Sequence, residues 1–199
     1  MIYFIITTSL TKQDYEIRKQ QYINGITAIK TLTKNINCKL CIVENNGQRK
    51  TFLDDFEIDV LYTNNNEIKT NNKGIKELKD VWDCINHFNI QDNDFIVKIT
   101  GRYILQENNE FLKQLDNDWD CIMKYGNCQY TVKHKVPECL TVLVGLKCKY
   151  IKKIKMPEEN ESVEYCWAKA TFEIPNSNII FLEKIGILAC PGSNNYILV

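Results

Sequence analysis

The chain has 199 residues, enough for one domain with a sizeable core, and its 25 basic residues balance 25 acidic ones. Balanced charge gives no support for a nucleic-acid or anionic-membrane partner. No run approaches the roughly 20 apolar residues of a membrane span, and Met1–Ile6 is too short and too uncharged for a signal peptide, so a soluble cytoplasmic protein is expected.

Ile2–Ile6 is an apolar, β-branched and aromatic run that predicts a buried first strand, ending in the hydroxyls of Thr7, Thr8 and Ser9. A helix follows from near Asp14, a capping residue, with Tyr15, Arg18, Tyr22, Ile26 and Ile29 at steps of three and four. Arg18 on that apolar face either snorkels or reaches toward the strand ends. Lys39–Val43 and Asp59–Tyr62 predict two more strands, stopped by Glu44-Asn45-Asn46-Gly47 and by Thr63–Asn66. Asn71–Gly74 opens a second helix with the stripe Ile75, Leu78, Val81, Ile85 and Phe88. Its start, with Lys73 beside exposed N–H groups and Gly74 leaving room for a ligand, suits an anion.

The central strand is Phe95–Ile99, which ends in Thr100-Gly101-Arg102-Tyr103. Ligands of open α/β sheets bind beyond the carboxyl ends of strands, and a guanidinium there suits phosphate or carboxylate. An Arg paired to a nearby acid accounts for the same residues. Downstream, a short helix is expected at Asn109–Leu115, strands at Asp118–Tyr125 and Leu140–Gly145, and an irregular loop at 126–138. A solvated helix face is expected at Lys147–Lys155, a helix after Pro157–Glu161 with Val163, Cys166, Trp167 and Ala170 inward, and a last apolar run at Ile179–Leu182. Strands alternating with helical patterns predict a mixed α/β sheet.

Nine cysteines are scattered through apolar runs, as free buried thiols would be. Cys38-x-x-Cys41 lies in a strand, where a three-residue step puts its members on opposite faces, unsuited to a shared zinc. His87 and His134 have no neighbours for a nucleophilic triad. Asp92/Asp94 and Asp118/Asp120 fall at strand starts, the wrong end for a ligand, and read as turns. The glutamates at 158, 159, 161 and 164 cluster at a helix start, where the helix dipole favours them; one of them could act as a general base.

The order of these pieces resembles the small glycosyltransferases of the nucleotide-diphospho-sugar transferase (GT-A) superfamily, of the kind found in bacterial polysaccharide clusters and large DNA viruses. The motifs that carry the resemblance are Thr7-Thr8-Ser9, Arg18 with Tyr22, Glu44-Asn45-Asn46-Gly47, Asn72-Lys73-Gly74 with Glu77, and Lys98-Ile-Thr-Gly-Arg-Tyr103. It implies a GT-A-like mixed sheet flanked by helices in one domain over 1–199, with a donor-binding half (1–105) and an acceptor half (106–199). It also implies a nucleotide-diphosphate-sugar donor and a glycan or glycoprotein acceptor, with no nucleic acid. Thr7, Thr8 and Ser9 would lie beside the nucleotide, Glu44 and Asn45 would face base or ribose, and Asn72, Lys73 and Gly74 would line the cleft with Glu77 in support. Thr100, Gly101, Arg102 and Tyr103 stand where most members carry a metal-binding Asp-x-Asp. Divalent cation, Mn²⁺ or Mg²⁺, is therefore not favoured. Arg102 with Lys98 or Lys73 would meet the diphosphate charge instead. In inverting members a late helix-start carboxylate activates the acceptor, which implies Glu164 first and Glu161 second as catalytic residues. A non-catalytic nucleotide-sugar-binding module, or a nucleotide-binding regulator, would fit the missing Asp-x-Asp as well.

Overall fold

In the computed structural model, which describes residues 1–11, 13–47, 49–125, 138–190 and 196–199, the longest apolar runs become the centre of one sheet. β1 (Ile2–Thr8) pairs in parallel with β2 (Cys38–Glu44) and with β4 (Phe95–Thr100), and β3 (Asp59–Tyr62) pairs in parallel with β2. β7 (Leu143–Lys147) runs antiparallel to β4 and to β6 (Cys121–Met123), and β8 (Ile179–Phe181) closes the edge parallel to β6. The order is β3-β2-β1-β4-β7-β6-β8.

Period-two alternation sends successive side chains to two cores. Tyr3, Ile5 and Ile96 pack under α2 (Lys73–His87), α4 (Cys148–Ile151) and α5 (Val163–Ala170). Phe4, Ile6, Val97 and Ile99 pack under α1 (Tyr15–Leu32) and Phe111 of α3 (Glu110–Lys113). Cys38 and Cys41 divide between these cores, on the opposite faces their spacing requires. Cys38, Cys41, Cys84, Cys121, Cys139, Cys148 and Cys166 are free thiols; Cys128, His134 and most of the loop expected at 126–138 lie outside the described residues. Among the described residues no helix is long and apolar enough to cross a membrane.

Several expectations change. Asp14 does not cap α1: its backbone is left-handed (φ 56°) and its side chain makes no capping bond. The Lys147–Lys155 stretch is solvated on one side only: Cys148, Tyr150, Ile151 and Ile154 are buried and Lys147 is covered and paired with Asp120, while Lys152 and Lys153 stay exposed and pair with Asp92 and Glu173. The strand expected at Leu140–Gly145 starts later, leaving Thr141 and Val142 in a turn before β7. A second, three-stranded antiparallel sheet has no counterpart in the sequence patterning. It joins β5 (Ile104–Leu105), β9 (Ile187–Ala189) and β10 (Ile197–Leu198) just beyond Tyr103.

Two glycines set how closely the helices seat. A Cβ on Gly25 of α1 would stand 2.2 Å from the Gly101 carbonyl oxygen and 2.8 Å from that of Tyr103. A Cβ on Gly74 of α2 would stand 2.4 Å from Val163 Cγ1 in α5. Gly74 thus serves helix–helix packing, and Val163 occupies the space that the sequence assigned to a ligand.

Candidate functional site

The parallel strands β1, β2 and β4 all end at one rim, and a cleft of about 760 Å³ opens there between the starts of α2 and α5. It is lined by Thr7, Thr8, Ser9, Arg18, Asn45, Asn72, Lys73, Gly74, Glu77, Thr100, Arg102, Tyr103 and Glu164 among the expected residues. Four expected residues stand outside that lining: Glu44, Lys98, Gly101 and Glu161.

Glu44 is fully buried beneath the rim instead of facing a base or ribose. Its carboxylate accepts from Thr8 Oγ1 (2.7 Å), Leu10 N (2.9 Å), Asn46 N (3.2 Å) and Asn46 Nδ2 (2.9 Å). It is the bracket that shapes the β1 exit loop, because a carboxylate has no donors and must fill its lone pairs from the chain. Lys98 is 1 % exposed and ion-paired to Glu77 at 2.7 Å, so its charge is already met within the protein. Gly101 lies beneath the rim, its N–H donating to the Thr7 carbonyl (2.9 Å). Glu161 turns back to accept from the Glu158 N–H (3.2 Å), away from the cleft.

The α2 start is stitched to the segment before α5. Asn72 caps α2 by accepting from Gly74 N (3.0 Å) and donates to the Glu161 carbonyl (2.8 Å). Glu159 accepts from Thr70 Oγ1 (2.6 Å) and Asn71 N (2.8 Å). Thr7 and Thr100 both turn their hydroxyls to Glu77 (2.8 and 3.4 Å). Ser9 N–H donates to the Tyr22 hydroxyl oxygen at 2.8 Å, and burial pushes that hydroxyl up to about 12.

Charge decides what the cleft can hold. Arg18, Lys73, Lys76 and Arg102 line it with no acidic partner within ion-pair distance among the described residues. Arg18 donates to the Ser9 carbonyl (3.3 Å), Lys76 donates to the Asn66 carbonyl (2.8 Å), and Arg102 lies 5.3 Å from the Tyr103 ring centroid. Both guanidiniums line the same cleft as Tyr22. Of the acids, Glu77 is neutralised by Lys98. An excess of guanidinium and ammonium groups around a rim of backbone and hydroxyl donors suits a multiply charged oxyanion.

Sequence reasoning missed Asp80. It is fully buried at the cleft wall and accepts from Asn45 Nδ2 (2.8 Å), Asn65 Nδ2 (2.8 Å) and Thr63 Oγ1 (3.1 Å). Burial is the largest influence and pushes its carboxyl up to about 7 from 3.8. A raised folded pKa means this group's contribution to stability is complete below about pH 4, falls as pH rises, and is gone above about pH 7. The unfolding midpoint of wild type relative to Asp80→Asn is expected to decline across that window and level off above it. A difference that is flat with pH would contradict this. An acid at an α2 position beside the apolar stripe was the available signal. For Gly25 the signal was an isolated glycine inside a helical pattern.

The carboxyl end of β4 offers the Thr100 hydroxyl and the Arg102 guanidinium. Among the described residues no three His, Cys, Asp or Glu side chains converge as a ligand set. Those donors do not fit a divalent cation, since a guanidinium repels it and hard cations take carboxylate oxygens. Asp92, Asp94, Asp118 and Asp120 sit at the opposite end of the sheet, held by Lys152, the N-terminus and Lys147.

Glu164, in the first turn of α5, brings a carboxylate to the far side of the cleft. It accepts from Ser162 Oγ (3.0 Å) and Thr141 Oγ1 (3.3 Å). His87 is exposed at the end of α2, with its ring against Phe88.

No family model and no curated protein matches the chain. Solved structures do. The galactosyltransferase LgtC, solved with donor and acceptor sugar analogues, superposes with a TM-score of 0.52 at 8 % identity, over 91 % of this chain and 73 % of that one. A 4-diphosphocytidyl-2C-methyl-D-erythritol synthase gives 0.51 at 9 % identity over 84 % of each chain. The bifunctional IspDF of Campylobacter jejuni gives 0.51 at 12 % identity, over 92 % of this chain and 48 % of that one. At these identities the likeness is one of fold.

Proposed function

We propose that this chain, which has the GT-A-like α/β fold of nucleotide-sugar transferases, transfers a glycosyl group from a nucleotide-diphosphate sugar to an acceptor hydroxyl without a metal ion. The observation that carries the reading is the set of four cations with no acidic partner among the described residues around the rim, in place of a carboxylate pair. Arg102 and Arg18 hold the diphosphate, with Lys73 and Lys76 adding charge. Thr8, Ser9 and Asn45 accompany the nucleoside end. The loop after β1 supports glycosyl over nucleotidyl transfer. The strand end and the start of that loop read Thr7-Thr8-Ser9-Leu10, with no glycine to wrap a triphosphate.

In the reaction, the acceptor oxygen forms a bond to the anomeric carbon as the bond from that carbon to the diphosphate breaks. Glu164 takes the acceptor proton. The departing electron pair stays on the diphosphate oxygen, where the guanidiniums meet the developing charge. Glu164→Gln removes the base and keeps the shape. Turnover is expected to fall by roughly 10²–10⁴-fold, with donor affinity at the wild-type level. Full turnover in the Glu164→Gln protein would retire the mechanism. Donor binding with no turnover in the wild type would leave a nucleotide-sugar-binding module.

A further inference from the structure

We infer, on the glycosyl-transfer reading, that Thr141 is a positioning residue for Glu164, and that buried Lys98 holds Thr141 in place from below. Lys98 has three N–H donors, and all are used: Glu77 Oε1 at 2.7 Å, the Thr141 carbonyl at 2.6 Å and Thr100 Oγ1 at 3.3 Å. None is left for a ligand. The bond to the Thr141 carbonyl is charge-assisted, the stronger kind, and it fixes the turn before β7 against β4.

The same residue turns its side chain to α5. Thr141 is 5 % exposed, and its hydroxyl donates to Glu164 Oε1 at 3.3 Å. Ser162 Oγ donates to the other oxygen at 3.0 Å, and the Cys139 N–H donates to the Glu164 carbonyl at 3.3 Å. Among the described residues, each carboxylate oxygen therefore has one lone pair held by the protein and one free. Two-point holding fixes the carboxylate's rotation, and a base must stand within hydrogen-bond reach of the proton that it removes. Loss of one point lets it swing, and small misplacements of reacting groups cost rate steeply. Lys98 thereby links the donor floor, through Glu77, to the carboxylate across the cleft.

The test is a turnover cycle. Release of nucleoside diphosphate is followed from UDP-, GDP- and dTDP-linked hexoses, with donor dissociation constants and unfolding midpoints measured alongside. Glu164→Ala is expected to lose turnover steeply. Thr141→Val is expected to lose about tenfold in turnover with unchanged donor affinity, and Thr141→Ser to keep wild-type turnover. In the Glu164→Ala background, Thr141→Val is expected to cause no further loss. Should the Thr141→Val protein fold poorly, Thr141→Ala removes the same hydroxyl and carries the same expectation. Wild-type turnover in the folded Thr141→Val or Thr141→Ala protein, a Thr141→Ser protein as slow as Thr141→Val, or a tenfold loss repeated on Glu164→Ala overturns the positioning role. Full turnover in Glu164→Ala instead overturns the base assignment on which that role depends.

Discussion

Arg102→Gln is expected to weaken binding of nucleoside diphosphates and their sugars by roughly ten- to a hundredfold while leaving the fold intact. Hydrogen bonds to a charged group contribute about 1.5–3 kcal/mol, and each 1.4 kcal/mol is about tenfold in affinity. The fold is spared because Arg102 has no acid to abandon among the described residues. Its contact with the Tyr103 ring is partly exposed and contributes about 0.5–1 kcal/mol at most. Arg102→Lys keeps the charge and loses the planar fork, so intermediate affinity is expected. Titration calorimetry with UDP and GDP reads all three proteins. Undiminished affinity in Arg102→Gln would show that the diphosphate does not lie at the end of β4.

Gly25→Ala is expected to lower the unfolding midpoint by roughly 4–8 °C and to weaken donor binding in the same protein. Alanine in a helix interior ordinarily gains about 1 kcal/mol over glycine. Here the added Cβ meets backbone oxygens at 2.2 and 2.8 Å. Those oxygens cannot easily withdraw, because Gly101 N donates to Thr7 O at 2.9 Å and Tyr103 N to Thr100 O at 3.0 Å. Overpacking costs about 1–3 kcal/mol and can exceed this against backbone. A net loss near 2 kcal/mol corresponds to that midpoint shift for a chain of this size. The turn that must yield carries Arg102, which is why affinity follows stability. Asn24→Ala, one residue away and exposed, is the control and is expected to leave affinity unchanged. A Gly25→Ala protein as stable as wild type would contradict the close seating of α1 on this turn.

The parts of the fold that were legible share a physical cause. β1, β2 and β4 are built on apolar, β-branched runs, α1 and α2 are long enough for helical patterning to exceed noise, and α2 opens within Asn71–Gly74. The second sheet was invisible because β5 and β10 have two residues each, too few to show a pattern, and β5 is held by β9, distant in sequence. Strand ends likewise pointed to the rim, since Thr7–Ser9 and Thr100–Tyr103 follow buried runs. What sequence could not give was the direction in which a polar side chain is satisfied. Glu44, Lys98 and Gly74 sit at motif positions, yet one shapes a loop, one supports a neighbouring turn and one admits Val163. Asp80 and Thr141 acquire their roles only from partners on other elements.

On the proposed mechanism, guanidiniums meet the diphosphate in place of a metal ion. Thermal unfolding of the wild-type protein with UDP-, GDP- and dTDP-linked hexoses, in excess EDTA and in Mn²⁺, tests it most directly, because a ligand of the native state raises the midpoint. A rise is expected for at least one donor, the same in EDTA as in Mn²⁺. A rise that appears only with Mn²⁺ would contradict the mechanism.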